Sequence, residues 1–281
     1  MTGTPVLVSG LQEIAGGYDA LICDVWGVLH DGVRAHPEAV EALLRFRQSR
    51  GRIVLLSNAP RPAAEIVTQL RLFGVPDEAY DAVVTSGGSA RDDLQRRIAG
   101  GMLKIVHIGP ARDKTVFSDL AVEEVRPEAA EVALCTGLYD DTTETPDDYA
   151  AMLAVLKAHD LPMICANPDI FVPRAGILVH CAGGIARAYE EIGGTVIYYG
   201  KPHKPIYGTA IAAAGAGARI LVVGDALETD IAGANAMGLD ALFVARGLHK
   251  DEIGDVTPKS LAALFARHGL KARAAVDVFK W

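Results

Sequence analysis

The chain has 281 residues, half of them hydrophobic, which is enough for one large or two modest domains with a substantial core. Asp and Glu (35) outnumber Lys and Arg (27), and the net charge of −8 argues against nucleic acid or an anionic membrane as a partner. The four cysteines are far apart in mostly apolar runs and no signal peptide or membrane span is visible, so we expect a soluble cytoplasmic protein with reduced thiols.

Short apolar runs alternate with helical patterns along the chain, which is typical of βαβ units and predicts an α/β protein with a mostly parallel sheet. Helices are predicted at residues 36–50, 145–160, 206–214 and 257–268. Strands are predicted at residues 52–58, 81–87, 104–109, 131–137, 162–168, 195–200, 219–225 and 240–247.

The first candidate functional residue is Asp24, which directly follows the apolar residues 21–23 at the end of a predicted buried strand. A carboxylate in such a position can act as a nucleophile toward phosphorus. It can equally form a turn or cap a helix. The residue pattern around Asp24 leaves both roles open.

Two further strand ends carry groups that suit a phosphate. Ser57 and Asn58 offer a hydroxyl, an amide and backbone N–H groups ahead of a helix, although they also suit a plain helix cap. Lys201 lies in the sequence GKP, where Gly200 permits close approach and Pro202 stiffens the loop. Lys201 is therefore either directed at an anion or a solvated surface charge.

The segment VVGDALETDIAGANAMG, residues 222–238, carries three acidic residues within six positions, Asp225, Glu228 and Asp230. A hard divalent cation such as Mg²⁺ would relieve their mutual repulsion. Glu228 and Asp230 would also complement the dipole of a helix that begins there. The polar strand ends fall before residue 60 and after residue 199, so one sheet carrying all of them would make the middle of the chain an insertion.

Taken in order, these motifs resemble the haloacid dehalogenase-like (HAD) hydrolase superfamily, subclass IIA. The resemblance is carried by CDVWGVLHDG, LLSNAP, GKP and GDALETD, and within the insertion by TSGG and NPD. It implies a doubly wound core domain at residues 1–89 and 197–281, with an α/β cap domain inserted at residues 90–196. It also implies a Mg²⁺-dependent phosphatase that acts on a small phosphorylated metabolite.

The resemblance assigns roles to the acidic residues. Asp24 would be the nucleophile and a Mg²⁺ ligand, and Asp225 would be the second carboxylate on the metal. Asp230 would support the loop of Asp225. Trp26 would give the metal its backbone carbonyl.

The resemblance also assigns the phosphate-binding groups. Ser57, Asn58 and Lys201 would hold the transferring phosphoryl group, and Lys201 would also restrain the charge of Asp24. A metal ion and a lysine together would allow one anion to attack another.

Trp26 departs from the family pattern, which places at this position a second Asp that protonates the leaving oxygen and later activates water. An indole can do neither, and such acid–base help contributes about 10²–10⁴-fold to rate. His30 and Asp31 are nearby candidates for the missing role or for structural roles.

Two other functions fit the same residues. A dehalogenase-like hydrolase needs no proton for its leaving group, and such enzymes carry an aromatic residue at the position of Trp26. They use no metal, however, whereas GDALETD implies one. The remaining alternative is a protein that binds a phosphorylated ligand without turning it over.

Substrate specificity is expected in the inserted cap, where Asn167, Asp169 and Arg174 are polar candidates. The NPD sequence suits a ligand contact and a structural turn equally well. Capped enzymes of this class are often dimers, so a homodimer is an expected state.

Overall fold

The computed structural model describes residues 4–98, 100–174 and 177–281. Its strands, in chain order, are β1 Val6–Val8, β2 Ala20–Asp24, β3 Arg52–Ser57, β4 Ala82–Thr85, β5 Leu103–Ile108, β6 Val122–Glu124, β7 Val132–Cys135, β8 Met163–Cys165, β9 Phe171–Arg174, β10 Ile177–His180, β11 Val196–Tyr198, β12 Ile220–Gly224, β13 Asp240–Val244 and β14 Ala274–Val276.

The α-helices, in chain order, are α1 Gln12–Ala15, α2 Pro37–Ser49, α3 Ala63–Leu72, α4 Ser86–Ile98, α5 Ala150–Ala158, α6 Ala182–Glu191, α7 Lys204–Ala214, α8 Ala232–Ala236, α9 Lys250–Ile253 and α10 Pro258–His268. A π-helix at Leu227–Ile231 precedes α8 directly.

The described residues divide by their internal contacts into two compact units. Unit 1 comprises the described residues of Met1–Ser57, Val67–Val84 and Lys201–Trp281. Unit 2 comprises those of Asn58–Ile66 and Thr85–Gly200. The predicted domain limits at residues 90 and 196 stay a prediction.

A sheet in the order β1-β14-β13-β12-β2-β3-β4 forms among the described residues. Strand β2 pairs in parallel with β12 on one side and with β3 on the other. The chain continues from β2 to β3 and β4 in one direction and from β12 to β13 and β14 in the other, so the strand order reverses at β2. Ligands of open α/β sheets bind beyond the carboxyl ends of the strands at such a reversal.

One hydrophobic cluster fixes these strands in unit 1. Ile22, Val54 and Val222 of neighbouring strands pack in it with Ile206 of α7 and Phe265 of α10. All five are buried, and each fully buried side chain of this size contributes about 1.5–3 kcal/mol. The ends of β2, β3 and β12 are therefore held by a well-packed core.

Unit 2 has its own parallel sheet, in the order β11-β8-β7-β5-β6 within the part of the chain that is described. Separate hydrophobic clusters surround it, one around Leu134 and Ile164 and another around Met163 and Tyr189. Strands β9 and β10 form an antiparallel pair outside this sheet.

The predicted α/β class and mostly parallel sheets are confirmed. Helix α10 begins as its sequence predicts, because Thr257 and Ser260 form a reciprocal capping box. The strand predicted at residues 81–87 is wrong at its end, where Ser86 already opens α4. The N–H of Gly87 donates to the carbonyl of Ala59 at 3.0 Å, a contact with a distant segment that local sequence does not reveal.

No helix in the described ranges has both the length and the apolar character that a membrane crossing requires.

Candidate active site

Three carboxylates meet at the strand ends of unit 1. Asp24, Asp225 and Asp230 are buried, and each offers an oxygen that lies within 4.8 Å of the others. Asp24 ends β2 and Asp225 follows the adjacent parallel strand β12. Asp230 returns to this point through the π-helix, where its Oδ2 accepts from the N–H of Ala226 at 3.2 Å. The topology thus brings together the three acidic residues that the sequence predicted for this site.

Lys201 provides the positive charge among these carboxylates. Its Nζ donates to Oδ1 of Asp24 and, at 2.7 Å, to Oδ1 of Asp230. Only 4% of Lys201 is exposed, so both ion pairs lie out of water. Burial alone would lower the pKa of Lys201, but Asp230 and Asp24 outweigh it and raise that pKa well above its usual value. The lysine therefore stays charged.

One buried ammonium does not neutralise three buried carboxylates. Burial, followed by the nearby charge of Asp230, raises the pKa of Asp225 to about 7. Burial likewise raises the pKa of Asp24 well above its usual value, against the opposing charge of Lys201. A hard divalent cation would supply the missing positive charge, and carboxylate oxygens are ligands that Mg²⁺ prefers. The donor set fits such an ion.

Two glycines lie close to the Asp225 carboxylate. Gly27 has φ +85°, and a Cβ atom at Gly27 or at Gly247 would clash with the Asp225 carboxylate. Leu248 donates its N–H to Oδ2 of Asp225 at 2.8 Å. The chain just after Trp26 therefore lies against Asp225, which is compatible with the predicted role of the Trp26 carbonyl.

Ser57 and Asn58 fall in different units. Ser57 is buried at the end of β3, one residue beyond Leu56, which pairs in register with Asp24. Asn58 belongs to unit 2, where its Nδ2 donates to Oδ1 of Asp169 at 2.8 Å. The position of Ser57 fits a phosphate contact, and that of Asn58 fits a link to the NPD sequence.

The indole of Trp26 packs on the turn that follows it. A Cβ atom on Gly32 would meet the six-membered ring of this indole. The ring also stands edge-on to His30 at 5.3 Å, and His30 stands edge-on to Phe73 at 5.0 Å. These contacts give Trp26 a packing role in addition to its position in the motif.

The two candidates for the missing acid are engaged in the same turn. Nδ1 of His30 accepts from the N–H of Gly32 at 3.0 Å, and burial lowers the pKa of His30 to about 4. Oδ1 of Asp31 accepts from the N–H groups of Val33 and Arg34, each at 2.9 Å. Both contacts favour the structural alternative for His30 and Asp31.

The polar candidates of the insertion bind one another or close neighbours within unit 2. Oδ1 of Asn167 accepts from the N–H of Asp169 at 3.1 Å, as in a side-chain-stabilised turn. Arg174 makes a bidentate pair with Asp141, with its shorter contact at 2.6 Å. The NPD sequence is thus a turn in this unit, joined to Asn58.

Two contributors to the site were missed from the sequence. The hydroxyl of Tyr207, on α7, donates to the carbonyl of Asp230 at 3.0 Å. Leu248 acts through its backbone N–H, which any residue except proline would supply. Tyr207 lies on the helix that directly follows GKP, so its position could have suggested a contact with the site. No feature of the sequence indicates a role for Leu248.

Comparison with known proteins places this geometry in a family. A profile described as haloacid dehalogenase-like hydrolase matches residues 21–123, and one described as HAD-hydrolase-like matches residues 198–266. The crystal structure of a haloacid dehalogenase-like family hydrolase from Brucella suis 1330 is 40% identical, with a TM-score of 0.84, over 97% of this chain and 99% of that one. The chain belongs to the haloacid dehalogenase-like hydrolase family.

Other members of this HAD family are similar over most of the chain. The D-glycerol 3-phosphate phosphatase of Mycobacterium tuberculosis is 32% identical over 85% of this chain, which spans 66% of that protein. The crystal structure of a glycerol phosphate phosphatase from M. tuberculosis in complex with magnesium is 27% identical over 87% of this chain and 74% of that one, with a TM-score of 0.65. The predicted HAD membership in subclass IIA, the hydrolase class and the α/β fold are confirmed.

Proposed function

We propose that this HAD hydrolase is a Mg²⁺-dependent phosphatase that acts on a small phosphomonoester through a phosphorylated Asp24. The observation that carries the proposal is the buried carboxylate of Asp24, paired with Lys201 beside Asp225 and Asp230. The named relatives support it, because the M. tuberculosis proteins are phosphatases and one was solved with magnesium. We also propose that unit 2 corresponds to the predicted inserted cap.

The chemistry divides into two displacements at phosphorus. In the first, an oxygen of Asp24 forms a bond to phosphorus and the bond from phosphorus to the substrate oxygen breaks, and that oxygen takes a proton from water and leaves as an alcohol. In the second, water attacks the phosphorylated Asp24, which releases inorganic phosphate and restores the carboxylate. One carboxylate thus serves as nucleophile and then as leaving group.

The surrounding residues make the attack of one anion on another favourable. Lys201 orients Asp24 and would bind a phosphoryl oxygen, and Ser57 would donate its hydroxyl to another. Asp24, Asp225 and the backbone carbonyl of Trp26 would hold Mg²⁺, with Asp230 supporting the loop. The bound ion would supply further neutralisation of the phosphoryl charge.

Trp26 limits which substrates react fast. The leaving oxygen receives no proton from this position, so an oxygen that departs easily, such as a phenolate, suits the site better than a sugar hydroxyl. The M. tuberculosis relative is named a D-glycerol 3-phosphate phosphatase, and small polyol phosphates are the substrate class we propose for the physiological reaction, with a turnover slower than that of aryl esters because Trp26 supplies no proton.

The test is an assay of the purified protein with an aryl phosphate, a polyol phosphate and a haloacid, each with and without Mg²⁺. We expect Mg²⁺-dependent phosphate release, faster from the aryl ester, that falls by at least about 10³-fold in Asp24→Asn. Halide release without metal would establish the dehalogenase alternative. Mg²⁺-dependent binding of a phosphate ester without any turnover would establish the non-catalytic one.

A further inference from the structure

A short segment of unit 1 contacts the loop that begins at Asp225. It consists of Gly247, Leu248 and His249, between β13 and α9. Gly247 allows the chain to approach Asp225 closely, and Leu248 donates its N–H to the Asp225 carboxylate at 2.8 Å. His249 makes the third contact, with the loop itself. The segment therefore touches the predicted metal loop at consecutive residues.

The imidazole of His249 accepts a backbone hydrogen bond from that loop. Leu227, two residues after Asp225, donates its N–H to Nε2 of His249 at 3.2 Å. In the neutral tautomer that accepts from Leu227, the ring proton is on Nδ1, which lies 3.0 Å from Oε2 of Glu252 on α9. Nε2 also lies 3.5 Å from Oε2 of Glu228. His249 is buried, so an apolar replacement of the ring would leave the Leu227 amide facing the interior without this acceptor.

We propose that His249 is a positioning residue for the metal carboxylate Asp225, acting through the N–H of Leu227. The inference rests on the proposed Mg²⁺ site. The loop from Asp225 to Leu227 is held on one side by Asp230, which accepts from Ala226, and on the other by His249. The two amides that directly follow Asp225 are thus both anchored, which restrains the direction in which its carboxylate points.

The effect on the metal follows from pre-organisation. A carboxylate that is already aimed at the ion loses little freedom when it binds, whereas a loop with an unsatisfied amide can turn the carboxylate away. Removing residues that orient a metal ligand costs about 10- to 100-fold in affinity. A loss in this range is expected when His249 no longer accepts from Leu227.

The chain offers a matched control in His268, on α10. His268 contacts the same two glutamates as His249, at 3.2 Å from Glu228 and 3.9 Å from Glu252. His249 lies 3.5 Å from Glu228 and 3.0 Å from Glu252. Of these two histidines, only His249 accepts from a backbone amide of the loop. His268→Leu therefore controls for the loss of the glutamate contacts that the two histidines share.

The experiment measures Mg²⁺ binding to the free protein by calorimetry in variants of both histidines. We expect His249→Leu to raise the Kd for Mg²⁺ by about 10- to 100-fold, and His268→Leu to change it less than about fivefold. His249→Gln, whose Oε1 reaches the position of Nε2, should restore affinity to within about fivefold. His249→Asn, whose Oδ1 reaches only the position of Nδ1 beside Glu252, should not restore the affinity for Mg²⁺.

Hydrogen exchange provides a reading that needs no metal. The amide of Leu227 should exchange faster in His249→Leu and His249→Asn, and at the unaltered rate in His249→Gln and His268→Leu. If His249→Leu does not fold, the comparison of His249→Asn with His249→Gln tests the positioning role, since both variants keep a polar side chain.

The results that would contradict the positioning role differ from those that would contradict the proposed function. Equal Mg²⁺ affinity in the unaltered protein and in folded His249→Leu or His249→Asn would overturn the positioning role alone, as would an equal loss in His268→Leu. Absence of Mg²⁺ binding in the unaltered protein would overturn the proposed function and the positioning role together.

Discussion

Lys201, the first residue of the last chain segment of unit 1, donates to Asp24 at the end of β2, and both side chains are buried. Nζ of Lys201 also reaches Asp230, at 2.7 Å. The lysine thus joins the proposed nucleophile to Asp230, the residue that we propose supports the metal loop. Its removal would leave buried carboxylates without their cation.

Replacing Lys201 by methionine should therefore affect both stability and catalysis. Without metal at pH 8, we expect a loss of about 3–5 kcal/mol in the free energy of unfolding, because breaking a buried pair leaves an unpaired charge. In folded protein with Mg²⁺, kcat should fall by about 10²–10³-fold. Denaturant titration and a phosphatase assay measure the two effects.

Arg219→Met is the matched control, since Arg219 pairs with Asp19 at 2.7 Å on the surface of the same unit. An exposed pair contributes about 0–1 kcal/mol. Equal destabilisation by the two substitutions would refute the importance assigned to the buried pair.

The pKa of Asp225 predicts how the metal-free protein responds to pH. Burial raises that pKa from its ordinary 3.8 to about 7. The folded state then binds more protons than the unfolded state between these values, so stability should fall as pH rises from about 4 to 7. The Tm in the presence of a chelator, measured across this range, tests the sign.

Mg²⁺ should oppose that loss, because it binds the ionised carboxylates of the folded state. At a concentration of about 100 Kd, it adds about 2.7 kcal/mol to the free energy of unfolding. The gain should be larger at pH 8 than at pH 5, and it should shrink in Asp225→Asn. A Mg²⁺ effect independent of pH would contradict this account.

Trp26→Asp tests whether leaving-group protonation limits the reaction. An acid at this position should raise the rate on alkyl phosphates by up to about 10²–10⁴-fold and the rate on aryl phosphates much less. Trp26→Asn, which lacks an ionisable group, is the control for lost packing against Gly32 and His30. If Trp26→Asp leaves the alkyl rate unchanged or lower, the missing acid does not limit turnover.

Alanine substitutions at two glycines of unit 1 distinguish the cost of backbone strain from the cost of crowding at the site. Gly27 and Gly74 have nearly the same φ, +85° and +88°, but a Cβ atom at Gly27 would meet Asp225 and one at Gly74 would meet nothing within 4 Å. Gly74→Ala should cost only about 1–2 kcal/mol from its backbone. Gly27→Ala should cost more and also weaken Mg²⁺ binding at least about tenfold.

Calorimetry with Mg²⁺ and denaturant titration of both variants provide the comparison. Undiminished Mg²⁺ affinity in Gly27→Ala would mean that Asp225 is free to move away from residue 27.

The parts of the fold that the sequence predicted are those with strong local patterns. Apolar runs predicted β3 and β12, and the TPKS start predicted helix α10 with its capping residue Thr257. The short strands β1, β6, β9, β10 and β14 were not predicted, because three or four residues outside a longer apolar run carry too little periodicity. Ser86 and Gly87, the first two residues of α4, were predicted as the end of a strand because they directly follow the apolar run of β4.

The acidic residues, the lysine and the strand ends that carry them could be identified from the sequence, because each belongs to a motif within a few residues. The contacts of Lys201 with Asp24 and Asp230, of Trp26 with Gly32, and of His249 with Leu227 became evident in the folded chain alone. These contacts join segments that are distant along the chain or involve backbone atoms, and backbone atoms are alike at nearly every residue. Their partners are set by the order and twist of the sheet, which no local pattern contains.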